Sequence, residues 1–116
     1  MKNYMAVYCG SPNGFERWMA VDEATRKARE QKGMAAWQKW MTDHAGVIVE
    51  NGGPLGKTKR VDPNGVSDVR NELAGYTVVR AESHEEAAKL FLDHPHFSIF
   101  PGDRVEIMEV MPIPTM

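Results

Sequence analysis

Three charged residues sit inside segments that otherwise read as apolar strands: Glu50 in "VIVEN", Arg80 in "GYTVVRAE" and Glu106 in "RVEIMEV". An isolated charge buried on a strand is strongly disfavoured, so each must meet a partner, a set of hydrogen bonds or solvent. A carboxylate desolvated in a cleft has a raised pKa and can take a proton from a substrate, which makes Glu106 a candidate general base. Arg80 and Glu50 are then candidate ligand-binding groups, and a structural ion pair or a solvated strand edge is the alternative for all three. The histidines are His44, His84, His94 and His96. Histidine titrates near neutral pH, moves protons and binds metals. His44 closes a helical pattern, where it can cap carbonyls or act as a catalytic proton-transfer group. His94 and His96 flank Pro95 in an extended dipeptide, with Asp93 or His44 as a conceivable third ligand. That set falls short of a metal site, so neither a metal nor a cofactor is expected, while Asp93 stays a candidate catalytic acid. His84, in the first turn of a helix, is expected to face solvent.

The aromatic residues divide similarly. Trp37 and Met41 recur at helical spacing and read as core, whereas Trp18, in an irregular segment, and Trp40, beside the apolar stripe, are candidates to line a ligand pocket together with Tyr76. Cys9 ends a strand with no neighbour that would activate its thiol. The stretch "GGPLGKT", Gly52 to Thr58, carries the end of a phosphate-binding loop pattern, but only Pro54 and Leu55 separate its glycines and a strand pattern follows instead of a helix. Turn and bulge chemistry is the better reading of those glycines.

Composition limits the partners such groups can have. The 116 residues suit one domain, residues 1–116, large enough to bury a core without a staple. A 42% hydrophobic and 26% charged content is that of a soluble globular chain. The formal net charge of -2 gives no reason to expect nucleic acid or an anionic membrane as partner. One cysteine, no spanning segment and an apolar amino-terminal run too short for a secretory signal make a reducing cytoplasm the expected compartment.

The elements that must position these residues follow from periodicity. Asn3 to Cys9 is a first strand, stopped by the turn residues of Gly10 to Gly14. Helix formers begin at Phe15, with Asp22 as a cap, and Gly33 is expected to split the helical stretch into two pieces. The second piece shows Met34, Trp37, Met41 and Ala45 at helical spacing and ends at Gly46, placed for a left-handed cap. A short strand "VIVEN" follows, then "KTKRV" and "VSDV" fold back as a hairpin around "DPNG". In Gly75 to Glu82, Thr77, Val79 and Ala81 alternate with Tyr76, Val78 and Arg80. Ser83 and Glu86 form a capping box for a helix of about three turns, buried through Ala87, Leu90 and Phe91 and stopped by Pro95. The last strand has Val105 and Ile107 on one face and Glu106, Met108 and Val110 on the other. The fold class is therefore α+β: a ferredoxin-like βαββαβ chain with an antiparallel sheet and an extra hairpin between the middle strands. Its helices cover one sheet face, and the other carries Tyr76, Val78, Met108 and Val110, an apolar patch that pairing into a homodimer would cover.

The segments "AAWQKWMTDHAGVIVENGGPLG", "ELAGYTVVRAESHEEAAKLFLDHP" and "VEIMEV", in that order between Ala35 and Met111, resemble the YCII-related family, also called DGPF-domain proteins. The resemblance implies the ferredoxin-like fold and a dimeric α+β barrel. A branch of that family is associated with a proposed histidine and aspartate pair and with lyase-type dehydrochlorination. This chain has Ala35 or Ala36 where that histidine falls, Asp93, His94 and Pro95 near the aspartate-proline step, and Asp68 as the direct match in the segment that names the other branch. Two functions are expected from this: binding of a small organic molecule with acid-base chemistry on it, or a non-catalytic binding or regulatory dimer.

Overall fold

The computed structural model describes residues 1–114. Tyr4, Ala6 and Tyr8 point to one side of the first strand and all are buried, the period-2 signature of a strand with a covered face. In chain order the elements are β1 (Lys2–Cys9), α1 (Pro12–Ala20), α2 (Glu23–Asp43), β2 (Ile48–Pro54), β3 (Thr58–Asp62), β4 (Gly65–Val69), β5 (Leu73–Ala81), α3 (His84–Lys89), α4 (Pro95–Ser98) and β6 (Arg104–Glu109). The sheet order is β2-β5-β1-β6 and every neighbour pair is antiparallel. Each crossover thus skips one strand, the ferredoxin-like topology, and β3 and β4 form a separate hairpin between the middle strands β2 and β5.

Register decides which side chains share a face. Tyr4 lies opposite Val79, and Ala6 lies opposite Thr77 and Ile107. With Tyr8, Ala81 and Val105 these form the covered face, packed by Trp40, Ala87 and Phe91 from the helical side. Met5, Val7, Tyr76, Val78, Glu106 and Met108 fall on the other face, which no helix covers.

Several local expectations shift. Ser11 caps α1 by accepting from the Gly14 amide, and Pro12 occupies the first helical turn, so the first helix begins inside the stretch read as a turn. The break between helical pieces is at Val21 and Asp22, where the Asp22 carboxylate accepts from the Thr25 amide at 3.0 Å. α2 then runs unbroken through Gly33, which is buried because the Phe100 ring occupies the space beside it: a β-carbon there would lie 2.5 Å from Cε2. Glycine serves close packing at this point, not bending. Met34, on the far side of the helix, is 65% exposed. Gly46 is not left-handed; the glycines with positive φ are Gly52 and Gly65, and α2 ends through the amides of His44 and Ala45. Ser83 caps α3 as expected, but α3 is only six residues long, and Pro95 opens α4 after turns in which Asp93 adopts a φ of 56°.

Candidate functional site

Tyr8 and Thr77 meet under the helices because β1 and β5 are neighbours in the sheet. The two hydroxyl oxygens are 2.8 Å apart, and Thr77 Oγ1 donates to the Asn51 carbonyl at 3.2 Å. With its proton committed to that carbonyl, Thr77 can only accept from the phenol, so the direction of the relay is Tyr8 to Thr77 to Asn51. Burial pushes the Tyr8 phenol up to about 12.

Beside Tyr8 lies an aromatic enclosure around a histidine. The His94 ring is fully buried and stands edge-on to Trp37 and Trp40, with centroids 4.5 and 4.7 Å away, and it also packs on Tyr8 and Phe91. Its Nδ1 accepts from the His96 amide at 3.0 Å, which places the proton of the neutral ring on Nε2, and Nε2 has no hydrogen-bond partner among the described residues. Burial first, then the proximity of His96 and His44, holds the His94 pKa down to about 3. His96 is buried too, with Nε2 2.8 Å from the Cys9 carbonyl, and burial lowers its pKa against that bond. The His96 ring fills the space a β-carbon would need at Gly102. Both imidazoles are therefore packed and oriented by backbone groups, and among the described residues no three His, Cys, Asp or Glu side chains converge on a common point.

A cleft of about 480 Å³ opens between the outer flank of α2 and the edge strand β2. Met41, Ile48 and Val49 supply apolar walls, and Gln38, Thr42 and Asn51 supply neutral polar groups. Its geometry follows from α2, which places Gln38, Met41, Thr42 and Ala45 along one flank while Trp37 and Trp40 turn toward the core. The Asn51 backbone ties this cleft to the relay from Tyr8.

The residues expected to act together are distributed over four places. Glu106, Glu50, Tyr76 and Arg80 share the uncovered sheet face. There the Glu106 carboxylate is held by Arg104 Nε at 2.5 Å, with Glu72 on the same guanidinium. The Tyr76 hydroxyl donates to Glu50 at 2.8 Å, which raises the phenol's pKa, and Arg80 donates to the Gly46 carbonyl at 2.9 Å. Glu106, Glu50 and Arg80 are all exposed. His44 and Trp40 pair on the α2 end: the rings are 4.6 Å apart, Trp40 Nε1 donates to the Leu90 carbonyl, and His44 Nδ1 lies 2.7 Å from the Trp40 carbonyl. A carbonyl only accepts, so Nδ1 carries the proton and Nε2 of neutral His44 presents a lone pair. Asp93 is exposed in the turn before α4, and Trp18 is buried against Phe100. His84 is exposed, as expected, yet its Nε2 lies 2.7 Å from the Ile107 carbonyl and its ring stacks on Tyr4.

The Tyr8, Thr77 and Asn51 relay and the aromatic surroundings of His94 were not identified from sequence. The alternation of β1 and β5 marks Tyr8 and Thr77 as neighbours of one face, a signal that becomes specific only once the strands are known to pair.

No protein-family model matches the chain, and no curated protein matches it. Among solved structures the chain is similar to 5-chloro-2-hydroxyhydroquinone dehydrochlorinase from Burkholderia phenoliruptrix AC1100, solved in complex with 2,5-dihydroxybenzoquinone. The TM-score is 0.56 and the identity 14%, over 94% of this chain and 93% of that one. The likeness spans both chains almost end to end and carries the fold, an α+β architecture with an antiparallel sheet. No helix among the described residues is long and apolar enough to cross a membrane.

Proposed function

We propose that this chain is a single-domain, small-molecule-binding subunit of a homodimeric α+β barrel, related to the YCII family, whose ligand lies in the cleft between α2 and β2. One observation carries the reading: that cleft joins apolar walls to the neutral polar side chains of Gln38, Thr42 and Asn51, and among the described residues no charged one lines it. Such a lining suits an uncharged, hydroxylated ring compound, since the walls shed water while the amides and hydroxyl orient its polar edge. The fold neighbour's dihydroxybenzoquinone is likewise a hydroxylated ring compound. The single, buried thiol of Cys9 is in keeping with a reducing cytoplasm.

The test is native mass spectrometry of gently purified protein, followed by titration with hydroxylated quinones and phenols monitored at backbone amides. The expected result is a saturable response at Thr42 and Asn51, lost when Ala45→Trp fills the cleft while thermal unfolding stays cooperative. A response elsewhere, or none, removes the proposal.

Acid-base chemistry on that ligand is a second reading, favoured by His44, which directly precedes the lining residue Ala45 and whose Nε2 is left to accept a proton. Glu106 and Asp93 are weaker candidates, because the first is held by Arg104 and the second stands in an exposed turn. His44→Gln should abolish turnover of a bound phenol or quinone while leaving its affinity intact. Turnover that survives, or is absent from the wild type, leaves non-catalytic binding.

A further inference from the structure

The chain is acidic overall, but the stretch from Lys57 to Arg70 reverses that sign. It contains Lys57, Lys59, Arg60 and Arg70 against Asp62 and Asp68, four cations to two acids, a local charge of +2 in a protein of formal charge -2. The hairpin of β3 and β4 gathers this charge at one place. Thr58 pairs with Val69 and Lys59 with Asp68, so the start of β3 and the end of β4 come together at the base of the hairpin. A groove of about 660 Å³ opens there, larger than the α2 cleft.

Of the charged side chains lining it, Lys59 and Asp68 satisfy each other at 2.6 Å. Lys57 and Arg70 also line it, and neither makes an ion pair or a side-chain hydrogen bond among the described residues. Two unneutralised cations on facing walls create a positive potential that an anion would relieve. Between them, Asn71 donates to Thr58 Oγ1 at 3.2 Å, which bridges the two walls and leaves the Thr58 hydroxyl proton free to donate. Val69 and Leu73 complete the lining, with Leu73 47% exposed, an apolar surface suited to the body of an organic ligand. The groove takes in Gly56, Lys57 and Thr58, the same residues whose order imitates the end of a phosphate-binding loop. No helix follows them, so backbone amides and a macrodipole play no part; the recognition rests on side-chain charge.

We propose that the groove at the base of the β3–β4 hairpin is a second binding site, for a small organic anion that presents a phosphate or carboxylate to Lys57 and Arg70 and an apolar body to Val69 and Leu73. Arg70 supplies a planar fork able to take two oxygens, and Lys57 supplies a mobile point charge. The site shares no lining residue with the α2 cleft, so it stands or falls independently of the function proposed above.

The test is titration of the whole protein with phenyl phosphate at low ionic strength, followed at individual backbone amides and by calorimetry. Saturable shifts are expected at Thr58, Val69 and Asn71, with Thr42 and Asn51 unmoved. Lys57→Gln combined with Arg70→Gln should weaken binding by roughly tenfold or more, the effect of losing charge-assisted hydrogen bonds. Lys27→Gln, which removes a surface charge on α2, should leave it unchanged. Phenol should not move the groove amides, and inorganic phosphate should bind there more weakly than phenyl phosphate. Absence of saturable shifts in residues 56–73, equal affinity in the double variant, or equal affinity for inorganic phosphate would each overturn the site as described.

Discussion

The backbone N–H of His96 donates to Nδ1 of His94 at 3.0 Å, so the ring of His94 caps α4 only while that nitrogen is unprotonated. The same ring is sealed among Tyr8, Trp37, Trp40 and Phe91, with no carboxylate against it among the described residues, and His96 and His44 are the titratable neighbours that oppose its charging. The cap and the enclosure act in the same direction, toward a permanently neutral histidine.

Acid stability follows from that arrangement. His94 is held to about 3, whereas an unfolded chain would protonate it near 6.5, so the unfolded state binds the extra proton between those values. Its neutral form weighs on neither state above the ordinary histidine range, and stability is lost as pH falls from there toward 3. The loss should be on the order of 1–2 kcal/mol by pH 5. His94→Asn keeps a side-chain acceptor for the His96 amide but cannot titrate there. It should be less stable at pH 7 through lost packing, yet lose less stability between pH 7 and 5 in urea melts; equal slopes would show that another group drives acid sensitivity.

At the alkaline end the relevant group is Tyr8. Its phenol is raised to about 12, so the stabilising contribution is complete below the usual value of 10 and disappears as pH climbs through 12. Tyr8→Phe should cost about 1 kcal/mol at neutral pH, because Thr77 still donates to Asn51 and only one buried hydrogen bond is lost. In an ultraviolet titration the variant should lack the wild type's last tyrosine ionisation. If that ionisation persists, it belongs to another tyrosine.

How much of this was legible in the sequence depended on the range of the interaction. The alternation in Gly75 to Glu82 identified β5 and its two faces, and Asp22 and Ser83 announced helix starts, because strand alternation and N-capping are encoded within a few residues. Gly33 was misread for the opposite reason: its role depends on Phe100, far along the chain, and local propensity sees only a weak helix former. The candidate site scattered for the same reason. Glu106, Glu50 and Arg80 interrupt apolar runs, but their face is the one the helices leave open, and their partners Arg104, Tyr76 and Gly46 are fixed by register and turn geometry. The histidine pair was noticed for metal-like spacing, whereas its orientation is set by the His96 amide and the Cys9 carbonyl, which spacing alone does not disclose.

Gly52 tests the bulge in β2. It adopts a φ of +64°, and a β-carbon there would overlap the Tyr76 carbonyl of the neighbouring strand, so strain and steric conflict both fall on backbone. β2 shifts register between Glu50 and Gly53 around it. Gly52→Ala should destabilise by roughly 1–3 kcal/mol, seen as a lower denaturant midpoint. Gly53→Ala, where a β-carbon meets nothing within 4 Å and φ is not positive, should be close to neutral. Similar effects at the two sites would contradict the bulge geometry.

The proposed homodimer makes the last prediction, on the uncovered sheet face. Met5, Val78 and Tyr76 are half-buried there and Met108 is 43% exposed, while Glu106, Arg104 and Arg80 are interspersed among or beside them with hydrogen bonds already made. A second copy related by a twofold axis would lay the same strip on itself, covering the apolar residues without stranding a charge. Val78 stands on the central part of β5, opposite Met5 on β1 and Glu50 on β2, so a long cation there would disrupt the strip from its middle. Val78→Lys should convert the dimer to a monomer in analytical ultracentrifugation, with the helix-covered core intact by circular dichroism. Val61→Lys, 77% exposed near the tip of the β3–β4 hairpin, should leave the dimer unchanged. A wild-type monomer would remove the proposed dimer, and a dimer that survives Val78→Lys but yields to Val61→Lys would move the interface off the sheet and onto the hairpin.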